Sequence, residues 1–210
     1  NLPLLRHVAE KGKPLIISTG MADLPEVEQA LATVRAAGAR EIILLQCTSA
    51  YPAPPESVNL KAMRTLKRKC GVLTGLSDHT AGIEIAVGAA AFGAAVIEKH
   101  FTLNRNLPGP DHRMSLEPEE LAGMVRAVRN VEKAMGNGRK LPDVNELEIA
   151  RIARRSLVAV RPIRAGEILE RAAVGIKRPG SGLSPAALGG LLGCRAVVDI
   201  PSGAMLAWEM

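Results

Sequence analysis

The fold is decided by residues 75–102, GLSDHTAGIEIAVGAAAFGAAVIEKHFT. The stretch opens at the end of an apolar, strand-like segment and turns polar at residues 77–80. Residues 81–92 are rich in Ala, Ile and Val and predict a mostly buried helix. Residues 94–97 predict a second buried strand, which leaves through the polar residues 98–102. A strand, a crossover helix and a strand form a βαβ unit, so the two strands are predicted to be parallel.

Two histidines follow the two predicted strands. Neighbouring parallel strands end at the same edge of a sheet, about 4.8 Å apart, which places His79 and His100 within reach of one divalent ion. With Asp78, Glu98 and Asp111 nearby, they would form a mixed nitrogen and oxygen environment. That environment suits Mn or Zn, and Mg where water and substrate oxygens complete the shell. The alternative interpretation is that both histidines are hydrogen-bonded loop residues.

The first 135 residues repeat the same alternation of strand and helix. PLIIS at residues 14–18 and EIILL at residues 41–45 predict two further buried strands, each with a polar exit. Four strands alternating with helices are typical of an α/β fold with a parallel sheet. Polar strand exits on one face are typical of a (β/α)8 barrel, whose complete form needs about 250 residues. We therefore expect the second half of a barrel; a small open doubly wound sheet is the alternative.

The alternation of strands and helices gives way to turn-rich sequence after residue 135. Residues 136–153 combine a turn-rich segment with a short charged helix and are interpreted as a linker. Residues 154–210 alternate short β-like pieces with Gly and Pro turns and predict a small second domain. Residues 1–135 then form the half-barrel. Because the chain starts at Asn1, within an apparent helix, we expect a fragment that lacks its N-terminal part.

Composition limits the class of partner. The formal net charge is +6, yet aromatic residues make up only 2% of the chain, which argues against stacking on nucleic acid bases and favours a small anionic substrate. No apolar run is long enough for a membrane span. The three scattered cysteines indicate a reducing cytoplasm without a disulfide framework.

Five motifs, in order, carry a family resemblance: ISTGMA, CTSAYPAP, GLSDHT, VIEKHFTLNRNLPGPDHRMSLEP and IKRPGSGLSP. Together they resemble the bacterial sialic acid synthases, including the legionaminate and pseudaminate enzymes. The resemblance implies a (β/α)8 TIM barrel followed by a small β-rich, antifreeze-like SAF domain. It also implies a metal-dependent condensation of phosphoenolpyruvate with N-acetylmannosamine or a related N-acetylated amino sugar, giving a nine-carbon sialic acid and phosphate.

The resemblance also implies roles for individual residues. Its catalytic residues would be His79, His100 and Asp111, and the two histidines would hold Mn or Mg. Ser18 and Ser77 would contact phosphoenolpyruvate, and Ser49 falls where many members have Asn. Tyr51 and Asp111 would face the sugar, and Glu98 and Lys99 would support the site. Arg178 would reach a partner's active site in a domain-swapped homodimer.

Other functions remain open at this point. A pseudaminate-type synthase fits the CTSAYPAP motif. A related aldolase-like or 3-deoxy-sugar synthase fits the half-barrel, but the KRPGSG segment argues against it. A non-catalytic, carbohydrate-binding half-barrel is a third possibility, in which the SDHT and EKH motifs would be surplus. With four strands unable to close a barrel, we expect the segment alone to have little synthase activity and to aggregate or dimerise.

Overall fold

The chain divides into two compact units in a computed structural model that describes residues 1–210. The first unit comprises residues 1–138 and the second comprises residues 139–210. Each is described separately below. No helix in either unit combines the length and the apolar character needed to cross a membrane.

The first unit is built on one parallel sheet whose strand order follows the chain, β1-β2-β3-β4. Parallel strands in sequence order, each connected to the next by a helical crossover, form a curved wall like part of a barrel. The predicted half-barrel is thereby confirmed. The strands are β1 (Leu15–Ser18), β2 (Ile42–Cys47), β3 (Leu73–Asp78) and β4 (Ile97–Lys99).

Five helices accompany this sheet, and several begin or end where the sequence carries a specific signal. Asp23 and Glu26 form a reciprocal capping box at the start of α2, which satisfies backbone N–H groups that have no partner within the helix. Gly71 ends α3 in the left-handed conformation, with a φ of 65° that favours glycine. The helices are α1 (Leu2–Ala9), α2 (Leu24–Ala36), α3 (Lys61–Cys70), α4 (Glu84–Ala91) and α5 (Pro118–Ala134).

The two faces of the sheet differ in burial. Leu15, Ile42 and Leu44 are buried in a core shared with α2. Successive side chains of a strand point to opposite faces, so the intervening residues Ile16 and Leu73 lie on the concave face. These two side chains are 54% and 55% exposed. The helix-covered face therefore supplies this core. The concave face is open at the start of the strands, while Leu45, further along the same face, is buried.

Several predicted strand ends are wrong by two or three residues. β2 was expected to end at Leu45 and runs on to Cys47. β3 was expected to end at Leu76 and runs on to Asp78, while the last strand was expected at residues 94–97 and is assigned to Ile97–Lys99. Pairing does begin earlier, because the Ala95 N–H donates to the Thr74 carbonyl at 2.8 Å. The polar residues continue the strands because their side chains find partners across the sheet, so their polarity did not mark a loop.

The second unit has its own core. β5 (Ser156–Ala159) and β6 (Val174–Lys177) form an antiparallel pair, preceded by α6 (Val144–Ala153) and followed by the short α7 (Leu188–Leu191). Asp143 caps α6, so the short charged helix expected within residues 136–153 begins at Val144. The centre of the core is formed by apolar side chains from strands and turns: Leu157, Ala159, Ile163, Leu169, Val174, Leu191, Ile200 and Leu206.

Candidate functional site

A group of three rings lies at the carboxyl edge of the parallel sheet. The ring centres of His79, after β3, and His100, after β4, are 5.3 Å apart, with an interplanar angle of 71°. The Tyr51 ring lies 4.1 Å from that of His79 and 5.5 Å from that of His100. The structure therefore brings together the two predicted metal ligands and one predicted sugar-facing residue.

Main-chain and side-chain contacts from the segment after β2 fix His79. Its Nδ1 lies 2.8 Å from the Thr48 carbonyl oxygen, and its own carbonyl accepts the Ala53 N–H at 2.8 Å. A carbonyl oxygen can only accept, so this contact requires a hydrogen on Nδ1; in the neutral imidazole the lone pair then lies on Nε2. A metal-binding histidine is commonly oriented by such a contact.

The spacing of the two ring centres matches that of two imidazoles that share one divalent ion. Rings that bind one ion at about 2.1 Å keep their centres roughly 4.5–5.5 Å apart, and the observed 5.3 Å falls within that range. Nowhere does the structure gather three or more His, Cys, Asp or Glu side chains at a possible metal site. Water and substrate oxygens would therefore complete the shell, as Mn and Mg allow.

The predicted contribution of nearby carboxylates to this environment is wrong for Asp78. Its Oδ2 accepts from the Lys99 ammonium at 2.8 Å, and its Oδ1 accepts from the Thr80 N–H and hydroxyl. Asp78 points to the opposite face of the sheet from the neighbouring Ser77, because side chains alternate along a strand. Glu98 accepts the Ser77 hydroxyl at 2.6 Å, and Asp111 lies in the exposed loop after β4.

The predicted anion-contacting serines occupy different environments. Ser18 ends β1 with an exposed side chain, beside an open groove of about 500 Å³ between α1 and α2. Ser49 is exposed after β2, and its hydroxyl abuts Gly20, where any added Cβ would collide with it. Ser77 is only 3% exposed, and its hydroxyl is engaged with Glu98. Arg178 is an exposed residue of the second unit, directly after β6.

The loop that carries Asp111 is held by a charged network. The Arg105 N–H donates to the Glu117 carboxylate at 2.9 Å, and its Nε donates to the Ser115 carbonyl at 2.9 Å. Its guanidinium also pairs with Glu120. The Glu117 backbone N–H, and then Arg105, lower the pKa of Glu120. These contacts fasten residues 105 and 115 to the start of α5 and so limit the freedom of the loop between them.

Two features of the site were missed at the level of sequence. One is the Thr48 carbonyl that orients His79; every residue has a carbonyl, so composition carries no signal for it. The other is Cys47, whose Sγ lies 3.8 Å from His79 Nδ1. Its position as the last residue of β2, two before Ser49, could have placed it on the same face.

Polar and aromatic side chains at the carboxyl edge of a parallel barrel wall form the class of site found in (β/α)8-barrel enzymes. Comparison with known proteins gives the family. Residues 1–140 match the NeuB family and residues 154–210 match the SAF domain, so the chain belongs to the NeuB family.

Three individual comparisons agree with this assignment. The chain is 43% identical over its full length to the N,N'-diacetyllegionaminic acid synthase of Legionella pneumophila, of which it covers 60%. It is 41% identical, over 95% of its length, to a pseudaminic acid synthase of Campylobacter jejuni, of which it covers 58%. The sialic acid synthetase of Leptospira borgpetersenii, solved in complex with citrate, is 40% identical and superimposes with a TM-score of 0.65. The alignment covers 71% of this chain and 52% of the synthetase chain. The chain thus spans about 60% of the length of these curated relatives.

Proposed function

We propose that this chain forms the metal-binding half of a synthase that joins phosphoenolpyruvate to an N-acetylated amino sugar. The carbon–carbon bond forms between the enol carbon and the sugar aldehyde carbon, water adds to the resulting cationic centre, and phosphate leaves. The products are a nine-carbon α-keto acid and inorganic phosphate. The names of the relatives support this chemistry at the level of the family.

The observation that carries the proposal is the His79–His100 ring pair at 5.3 Å. A divalent ion bound there would act as a Lewis acid on the sugar carbonyl. The chain's own part is to hold both rings in place, with Nδ1 of His79 committed to the Thr48 carbonyl. Tyr51 packs against His79 with a ring that is 49% exposed, so it can present an apolar surface to a bound sugar.

The anionic substrate would lie on the hydroxyl groups of the concave face. Ser18 is free to donate to a phosphate or carboxylate oxygen. Ser77 would first have to release Glu98, because its single hydroxyl hydrogen is used in that contact. Asp111, on the loop fastened by Arg105, would accept hydrogen bonds from sugar hydroxyls.

The metal assignment is tested by His79→Ala and His100→Ala, with His7→Ala as a matched control on the exposed face of α1. Each site variant should lose most of its Mn²⁺ binding. The binding is measured from the electron paramagnetic resonance signal of free Mn²⁺. In a full-length enzyme that contains this segment, phosphate release from phosphoenolpyruvate and N-acetylated hexosamines should fall by about 1,000-fold, since a Lewis acid supplies several kcal/mol. Unchanged Mn²⁺ occupancy in both variants would remove the basis of the proposal.

Two classes of N-acetylated sugar are candidate acceptors. Relatives at similar identity are named for legionaminic and for pseudaminic acid, so a pseudaminate-type substrate is a second candidate. Mass analysis of the keto acids formed from a panel of N-acetylated hexoses distinguishes the two. A protein that binds these sugars but consumes no phosphoenolpyruvate would instead be the non-catalytic, carbohydrate-binding alternative.

Arg178 would complete the sugar site from a second copy of the chain in a domain-swapped homodimer. Its planar guanidinium can bind an acyl carbonyl and a hydroxyl at once. In a full-length enzyme that contains this segment, Arg178→Ala should raise KM for the sugar at least 10-fold without changing KM for phosphoenolpyruvate. Arg155→Ala, at another exposed arginine of the second unit, should change neither. Sedimentation that shows only monomers at assay concentration contradicts this arrangement.

A further inference from the structure

One ion pair is buried at the carboxyl edge of the sheet, and the proposed reaction does not use it. The Lys99 ammonium lies 2.8 Å from Asp78 Oδ2, and the two side chains are 2% and 0% exposed. Lys99 also donates to the Thr80 carbonyl at 2.6 Å. The second oxygen of Asp78 accepts from the Thr80 N–H at 2.9 Å and from its hydroxyl at 2.8 Å. Every charge in the cluster is therefore paired and hydrogen-bonded.

The position of the pair relates it to the imidazoles. Asp78 and Lys99 are direct partners in the β3–β4 register, and each is followed at once by one of the histidines. The Lys99 ammonium donates hydrogen bonds to the Asp78 carboxylate and to the Thr80 carbonyl, so it contacts the chain on both sides of His79. Its own backbone leads directly into His100. One ammonium group thus joins the two main-chain segments that carry the rings.

We infer that the Asp78–Lys99 ion pair is a positioning element that sets the separation of His79 and His100, and thereby the affinity for a divalent ion. It touches neither ion nor substrate. A charge-assisted bond between the two strand ends is shorter and stiffer than a neutral contact, and the rings follow the strand ends. The inference rests on the proposed metal site at the two histidines.

The test is the double variant Asp78→Asn/Lys99→Met in the full chain. Lys99→Met alone would leave a buried carboxylate without a partner and endanger folding. The double variant removes both charges, while the amide oxygen introduced at position 78 can still accept from Thr80. The matched control is Arg129→Met/Glu132→Gln, which neutralises an exposed ion pair on α5 with the same net change.

The readouts are Mn²⁺ affinity, from the signal of free Mn²⁺, and the number of histidine nitrogens coupled to bound Mn²⁺ in pulsed electron paramagnetic resonance. We expect the folded double variant to bind Mn²⁺ at least 10-fold more weakly, or to show one coupled histidine where the parent shows two. The control should match the parent. Circular dichroism and thermal unfolding establish that the double variant is folded.

The outcomes separate the two proposals. Parent-like affinity with two coupled histidines in the double variant overturns the positioning role and leaves the metal site intact. If His79→Ala and His100→Ala also bind Mn²⁺ like the parent, the metal site itself is refuted. Should the double variant unfold, Asp78→Glu is measured in its place: it keeps the charge but displaces it by one methylene, and parent-like Mn²⁺ binding in that variant overturns the inference.

Discussion

At the scale of single residues, Asp78 shows why a carboxylate beside a histidine is not automatically a metal ligand. Its side chain is fully buried and bound to Lys99 and Thr80. Removing one member of a buried ion pair typically costs about 3–5 kcal/mol, because the other charge is left without compensation. The sequence identified the charged residues around the histidines, but not which face of the strand each occupies, since a one-residue shift in the pairing register reverses that assignment.

A pH dependence is expected from Glu120, whose pKa is lowered by the Glu117 N–H and by Arg105. A lowered pKa in the folded state stabilises the fold at pH values above the unfolded-state pKa of about 4.3. That contribution is lost as the pH falls through the folded-state value. Glu120→Gln should therefore reduce the free energy of unfolding at pH 7 by less than about 1 kcal/mol, because the pair is exposed.

The measurement is urea unfolding of parent and Glu120→Gln at several pH values, with Glu119→Gln as the control in the same helical turn. The difference between parent and Glu120→Gln should shrink as the pH falls below about 4. A difference that stays constant from pH 7 to pH 3 would mean that the carboxylate charge of Glu120 does not stabilise the fold.

At the scale of secondary structure, the alternation of strand and helix was readable because apolar runs and turn signals are local. PLIIS falls within one residue of β1, and EIILL starts one residue before β2 but stops two residues short of its end at Cys47. The carboxyl ends of β2 and β3 and both ends of β4 were missed. Pairing at the ends of β3 and β4 depends on contacts between residues about twenty positions apart, such as Ser77 with Glu98. Such contacts leave no periodic signal in the sequence.

Gly75 makes the close approach of β3 and β4 possible. A Cβ at this position would collide with the Val96 carbonyl oxygen and lie 2.7 Å from Leu45 Cδ2. The Val96 carbonyl is backbone and already accepts the Leu76 N–H at 3.0 Å, so it cannot move freely. Gly75→Ala should therefore destabilise the protein by about 1–3 kcal/mol or more.

Chemical denaturation compares Gly75→Ala with Gly123→Ala. Gly123 lies inside α5, where a new Cβ meets only the end of Arg126 at 3.9 Å. That substitution should stabilise the protein by about 0.5–1 kcal/mol, because alanine loses less conformational freedom in a helix. Two substitutions of the same kind are thus expected to act in opposite directions, and equal effects would contradict the steric argument.

At the scale of the whole chain, the half-barrel and the turn-rich second unit were both anticipated, and the ring distances were not. Fold class follows from the order of elements, which the sequence displays. The spacing of Tyr51, His79 and His100 depends on sheet curvature and on the Thr48 carbonyl, which only the folded chain reveals.

Each unit has a separate core, so damage to one should remain local. Leu206 is 1% exposed at the centre of the second core, and Leu206→Ala should cost about 2–5 kcal/mol there. Hydrogen exchange should accelerate for buried amides in residues 139–210 and stay unchanged for those of β2 and β3. Val197→Ala, at a side chain that is 68% exposed, serves as the control. Equal acceleration in both units would show that they unfold as one.

The pleat of β3 and β4 has a consequence for insertions and deletions. Neighbouring residues of a strand point to opposite faces of the sheet, so the side chains of Lys99 and His100 lie on opposite faces. Deleting a single residue within β4 would turn His100 toward the helix-covered face and Lys99 toward the concave face. The Asp78–Lys99 ion pair and the His79–His100 ring pair would then both be lost. A change of length within β3 or β4 should therefore disrupt the ion pair and the ring pair at the same time.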